Sequence, residues 1–273
     1  MKKQHAQPAV IALSLFLGVS ISASAADSLP SWNDTPAKKA IIAFVEKTTK
    51  EGSPDFVKPE ERIATFVALT HSGVTVQQFQ EIVKKWLADA RHSRFKQPYT
   101  ECIYQPMLEL MQYLRNSGFK TYIVTGGGQE FVRAFAEQVY GVPPEQVVGS
   151  MGKVKYEYDK EGSPELIKLP EMLLINDKTG KPEGINMVIG RRPQAAFGNS
   201  TGDQQMLEYT GAGNGARLMM LVHHDDAKRE YAYGADSKIG TFSDALMAEA
   251  KKKGWVVISM KDDWKTIFPT AKQ

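Results

Sequence analysis

Three stretches of the sequence combine side chains that could handle a charged ligand. The first runs Thr121-Tyr122-Ile123-Val124-Thr125 into Gly126-Gly127-Gly128. If the apolar part is a strand and a helix follows, the Thr125 hydroxyl and the uncovered N–H groups at Gly126 and Gly127 can cradle an anion, aided by the helix dipole. The same glycines also suit a turn required by packing alone. The second is Ala195-Ala196-Phe197-Gly198-Asn199-Ser200-Thr201-Gly202-Asp203, in which Asn199 and Asp203 stand four apart around a tight turn. Two oxygen-bearing side chains there suit Mg²⁺, which takes hard oxygen ligands and keeps several waters. The alternative is helix capping by Asp203 with Asn199 forming the turn. The third is Lys181, with Arg191 and Arg192 behind it. A cation between the two loops could neutralise a phosphoryl group, and a solvated surface lysine is the other reading.

These groups meet only if an α/β sheet presents them at the carboxyl ends of neighbouring strands. The patterning predicts such a frame. Asp34-Thr35-Pro36 reads as a helix start, and the Ala37–Lys47 stretch that follows has helical spacing. Arg62 to Phe66 reads as a strand. Thr75 can cap a helix from Val76 to about Ala90 that turns Phe79, Ile82, Val83, Trp86 and Leu87 to one side. A further helix is expected from Gln105 to Ser117, a buried strand over Phe119–Val124, and a helix from Gln129 to Tyr140. Lys153 to Lys168 suggests a hairpin around Asp159 to Ser163. Short strands at Ala195–Phe197 and Leu218–Val222 flank a helix at Gln204–Tyr209. Asp225–Tyr233, Ser243–Lys253 and Trp255–Met260 complete the chain as helix, helix and strand. Strands alternating with helices imply a mostly parallel sheet covered on both faces.

Composition narrows the class. Lys2 and Lys3 precede an apolar or small run, Ala9 to Ser22, which ends in Ala23-Ser24-Ala25. That order reads as a secretory signal peptide over residues 1–25, so the protein is expected to be periplasmic or secreted and free of the membrane after cleavage. Cleavage removes two of the 34 basic residues and none of the 31 acidic ones, leaving a charge near +1. Such a balance argues against a nucleic-acid partner, which usually needs a strongly basic patch. The single cysteine, Cys102, cannot close an internal disulfide. Stability must come from a packed core.

In this order the three stretches resemble the haloacid dehalogenase superfamily, specifically its secreted members with a phosphoserine-phosphatase-type core. The best matches are Ile123-Val124-Thr125-Gly126-Gly127-Gly128, Gly141 to Ser150, and Ile189 to Leu207. The resemblance implies a Rossmann-like core over residues 61–273 after an N-terminal helical segment at 26–60, with residual cap helices at about 70–106. It also implies a Mg²⁺-dependent phosphomonoester hydrolase acting on a small phosphorylated molecule. By the same likeness, Thr125, with Gly126 and Gly127, would hold the phosphoryl oxygens. Lys181, rather than Arg191 or Arg192, would stabilise the phosphoaspartate, and Asn199 and Asp203 would bind Mg²⁺.

One part of the pattern is missing. The family's reaction starts from an Asp-x-Asp-x-Thr loop after the first core strand, whose first Asp attacks phosphorus and whose second is general acid and base. Here that loop should follow at Val67, yet no Asp occurs between Arg62 and Ala88. Thr70, His71 and Ser72 read as a turn before a helix, and Asp34-Thr35 as a cap rather than a nucleophile. His223-His224-Asp225-Asp226 is not expected to bind metal, because adjacent histidines on a strand point apart. Strand and cap helix look joined directly, and Thr201 stands where close relatives tend to carry a further Asp. Two expectations follow: a phosphatase by lineage with impaired or no turnover, or a non-catalytic module that binds a phosphate ester or a protein.

Overall fold

The computed structural model describes residues 27–58, 63–64, 74–237 and 239–269. The expected signal peptide, the loop at Val67 and the Thr70-His71-Ser72 turn lie outside the described residues. In chain order the elements are α1 (Pro36–Thr49), β1 (Ile63–Ala64), α2 (Val76–Asp89), α3 (Gln105–Asn116), β2 (Lys120–Thr121), β3 (Ile123–Gly128), α4 (Gln129–Arg133) and α5 (Ala136–Tyr140). They continue with β4 (Val147–Tyr158), β5 (Pro164–Leu174), α6 (Gly180–Ile189), β6 (Ala195–Gly198), α7 (Gln204–Gly211), β7 (Leu218–His223), α8 (Asp244–Lys252), β8 (Val256–Ser259) and α9 (Met260–Asp263). No helix among the described residues is long and apolar enough to cross a membrane.

The strand pairings are parallel for β1 with β2, β3 with β4, β6 with β7 and β7 with β8, and antiparallel for β4 with β5. Ile63 and Ala64 pair with Lys120 and Thr121, and β1 also lies close to β6; the hydrogen-bonded groups are β1–β2, β3–β4–β5 and β6–β7–β8. Side chains alternate across β6 and β7 as a pleated strand dictates. Ala195, Phe197, Leu218 and Met220 join Ile41, Phe44, Leu110 and Leu114 of α1 and α3 on one face. Ala196 and Leu221 meet Ile185, Met206, Leu207 and Leu246 of α6, α7 and α8 on the other. Helices therefore cover both faces of an α/β sheet.

Several local expectations change in the folded chain. The Thr75 cap is present: its hydroxyl accepts from the Gln78 N–H at 3.0 Å and the Gln78 side chain accepts from the Thr75 N–H at 3.1 Å. Only Phe79, Val83 and Leu87 of α2 are buried, however. Ile82 and Trp86 are 56% and 48% exposed, because the surface offered by α4 and β5 accommodates one i, i+4, i+8 row. Trp86 instead stacks on Tyr99 at 5.4 Å. The helix expected over Gln129–Tyr140 breaks in two, since Phe135 leaves helical geometry (φ −137°) and packs its ring against Phe131 and Tyr140. Asp225 to Tyr233 forms turns rather than a helix. There the Asp226 carboxylate accepts from the Lys228 and Arg229 N–H groups, while Arg229 reaches the carbonyls of Trp264, Lys265, Met260 and Lys261.

Candidate functional site

The glycine stretch is strand, not loop. β3 continues through Gly128, and a five-residue helix starts only at Gln129. Thr125 is fully buried, and its hydroxyl accepts from the Gly127 N–H at 3.2 Å. Asn176, which the sequence reading did not single out, stitches this strand in place. Its side-chain amide donates to the carbonyls of Thr125 (2.8 Å) and Val148 (3.2 Å). Its own N–H donates to the Ser150 hydroxyl, which in turn donates to the Gly126 carbonyl. A lone Asn after an apolar run carries no signal of that task.

Lys181 lies in the first turn of α6, a helix absent from the predicted elements. Its ammonium donates to the Val124 carbonyl at 3.0 Å and stands 3.2 Å from Asp203 Oδ1. Both side chains are 1% exposed. Asp203 Oδ2 accepts from the Asn199 N–H (2.9 Å), the Ser200 N–H (3.1 Å) and the Ser200 hydroxyl (3.1 Å). Oδ1 has no aligned hydrogen bond, so its contact with Lys181 is an ion pair rather than a directed bond. Asp203 therefore does not cap α7 with its side chain; it closes a capping box with Ser200 three residues before and meets the lysine at the same time. Two glycines permit the turn. A Cβ on Gly198 would lie 2.5 Å from Asp203 Cβ, and one on Gly202 would lie 2.5 Å from Asp177 Oδ1. Arg192 donates to the Tyr209 carbonyl and stacks on the Tyr209 ring, while Arg191 is exposed.

A second buried network adjoins the turn. Asn199 Nδ2 is 3.4 Å from His224 Nε2, and His224 Nδ1 is 3.4 Å from Glu230 and 3.5 Å from the Tyr104 hydroxyl. His224 and Glu230 are buried. Burial, with Glu230 nearby, pushes the Tyr104 phenol well above its usual range. The sequence reading sets the His223-His224 stretch aside as a metal site, and Glu230 sits in a turn where a helix is expected. A cavity of about 320 Å³ opens beside the two networks. Its lining includes Met107, Met111, Ile123 and Phe135 on one side and Asn199, Asp203 and His224 on the other.

Residues 37–208 match the family model described as haloacid dehalogenase-like hydrolase. The chain belongs to that family. Solved structures similar to the chain include a conserved functionally unknown protein from Anaerococcus prevotii. It is 19% identical with a TM-score of 0.48, and the match covers 74% of this chain and 56% of that one. A phosphoserine phosphohydrolase-like protein from Francisella tularensis is 15% identical with a TM-score of 0.33, covering 68% and 73%. A probable phosphoserine phosphatase from Vibrio cholerae is 12% identical with a TM-score of 0.30, covering 66% and 61%. The chain spans little more than half the length of the Anaerococcus protein. No curated protein matches it.

A divalent ion of the kind expected for this haloacid dehalogenase-like chain fits the described centre poorly. The one carboxylate among the expected ligands, Asp203, has Oδ2 taken by three donors and Oδ1 facing an ammonium. The Asn199 side-chain amide lies 3.4 Å from His224 Nε2. Among the described residues no group of three or more His, Cys, Asp or Glu side chains could hold a metal. Mg²⁺ needs oxygen ligands and excess negative charge, and Lys181 cancels the charge that is present.

Proposed function

We propose that this chain keeps the haloacid dehalogenase-like phosphatase scaffold but does not turn over phosphate monoesters by the phosphoaspartate route. One observation carries the reading. Between Arg62 and Ala88, where the attacking carboxylate should follow β1, there is no Asp. Covalent catalysis of this type begins with that carboxylate, and no step can be written without it. The paired charges of Lys181 and Asp203 support the same reading, since a lysine buried against a carboxylate is not poised to meet a phosphoryl dianion. Thr125, likewise, is buried and engaged with Gly127. We further propose export to the periplasm, on the basic, apolar and small regions of residues 1–25.

The test is phosphate release from an aryl phosphate by purified mature protein with Mg²⁺. Release is expected to be no greater than that of a Thr125→Ala, Asp203→Ala double variant. Turnover that the double variant loses would overturn the reading and require a nucleophile outside the Asp-x-Asp-x-Thr pattern.

A further inference from the structure

We propose that the cavity beside Asn199 and Asp203 binds a small, uncharged, mainly apolar molecule with one hydrogen-bonding group, rather than a phosphate ester. Size comes first. About 320 Å³ lies at the lower end of small-molecule sites. It corresponds to roughly ten water volumes at ~30 Å³ each, enough for one ring with a short substituent. The wall chemistry comes next. Met107, Leu108 and Met111 of α3, Ile123 of β3, and Val132 and Phe135 form an apolar side. Thioether side chains adapt to an irregular guest and contact aromatic rings well.

Charge then selects the class. Among the described residues that line the cavity there is no Lys or Arg, and Asp203 contributes a carboxylate. The nearest cation to that carboxylate, Lys181, is not part of the lining and is 1% exposed. An anion entering here would lose its hydration with no Lys or Arg in the described lining to compensate, since Lys181 is engaged by Asp203. A cation fares little better, because Lys181 already neutralises Asp203. A neutral guest meets neither cost. Its polar group can address the Asn199 and His224 end, where the existing Asn199–His224 contact is long at 3.4 Å.

Ligand-observed saturation-transfer NMR on the full chain tests this, with benzyl alcohol as the neutral probe and phenyl phosphate as its anionic counterpart. Transfer to benzyl alcohol is expected, with little or none to phenyl phosphate. Met111→Trp fills the apolar side and should cut the benzyl alcohol signal at least fivefold. Thermal unfolding is measured alongside. If Met111→Trp lacks a cooperative transition, Leu108→Phe, at a half-buried position on the same wall, decides the matter. No transfer to benzyl alcohol overturns the proposal. So does transfer unchanged in the folded filled variant, or transfer to phenyl phosphate that matches or exceeds it. The outcome is independent of the hydrolysis assay, which reads the missing nucleophile and not this cavity.

Discussion

Lys181→Met is the most direct test of whether the lysine serves the fold or waits for a ligand. A side chain held ready for an anion is usually reachable by solvent, and its removal costs little stability. Lys181 is 1% exposed, donates to the Val124 carbonyl and stands 3.2 Å from a carboxylate that is also 1% exposed. Removing one partner of a buried pair costs about 3–5 kcal/mol, because the other charge is left unmatched. Here Asp203 keeps three donors on Oδ2, which places Lys181→Met at the low end, about 3 kcal/mol. Asp203→Asn should cost at least as much, since it leaves an ammonium in the interior and weakens the turn. The double variant Lys181→Met, Asp203→Asn leaves neither charge stranded. It should fall short of the sum of the singles by about 0.5–3 kcal/mol, the range for residues in contact. Urea unfolding with matched slopes reads all three values, and about 3 kcal/mol corresponds to roughly 6–12 °C in melting temperature for a chain of this size. Single costs below about 1 kcal/mol that add without coupling would show that the ion pair is not the buried centre described here.

Two further outcomes follow from particular contacts. A Cβ on Gly180 would collide with the Ile175 carbonyl, whereas one on Gly152 would meet ordinary contact at 3.7 Å. Gly180→Ala should therefore lose about 2–3 kcal/mol and Gly152→Ala less than about 1 kcal/mol in thermal unfolding, and equal losses would contradict the packing around α6. Burial raises the Asp226 carboxyl, but the Arg229 N–H, the Arg229 side chain and the Lys228 N–H outweigh it and hold it below its usual value. A depressed folded value means that its stabilisation is present above the unfolded value of about 4 and is lost as pH falls through the folded one. The stability gap between wild type and Asp226→Asn should thus be constant near neutral pH and close below pH of about 4. A gap that persists in acid would contradict the charge-based origin.

Much of the frame was legible because local signals agreed with packing. Val76–Asp89 has a capping Thr75–Gln78 pair and an apolar row, and the Gln204–Gly211 helix follows a turn rich in small residues. What escaped is α6. Gly180, Pro182 and Gly184 within five residues argue against a helix on propensity. Yet Gly180 and Gly184 are small because the Ile175 carbonyl and the Asn176 side chain pass so close. Tertiary crowding sets those residue types, and no periodicity reports it. Missing α6 meant missing where Lys181 points, so its pairing with Asp203 was invisible. The residue types of Thr125, Asn199 and Asp203 could be picked out from spacing. That the glycines extend β3, and that His224 reaches Glu230 across a turn, depends on contacts distant in sequence.

The two partners of the buried pair are not placed by equal means. Gly198 lets Asp203 approach the end of β6, and three donors from Asn199 and Ser200 fix one of its oxygens. Its position therefore follows from the turn and would survive loss of the lysine. Lys181 is held by one carbonyl and by the charge it faces. The lysine is the adaptable member, and Asp203 is what keeps a positive charge tolerable in a low-dielectric interior. A ligand that recruited Lys181 would have to separate it from Asp203 and supply an anionic oxygen in its place. It would also leave the Asp203 carboxylate buried without a counter-charge. Between Arg62 and Ala88 the sequence supplies no Asp that could hold a second cation and offset that cost. The absence of an Asp between Arg62 and Ala88 and the pairing of Lys181 with Asp203 thus bear on the same charge balance.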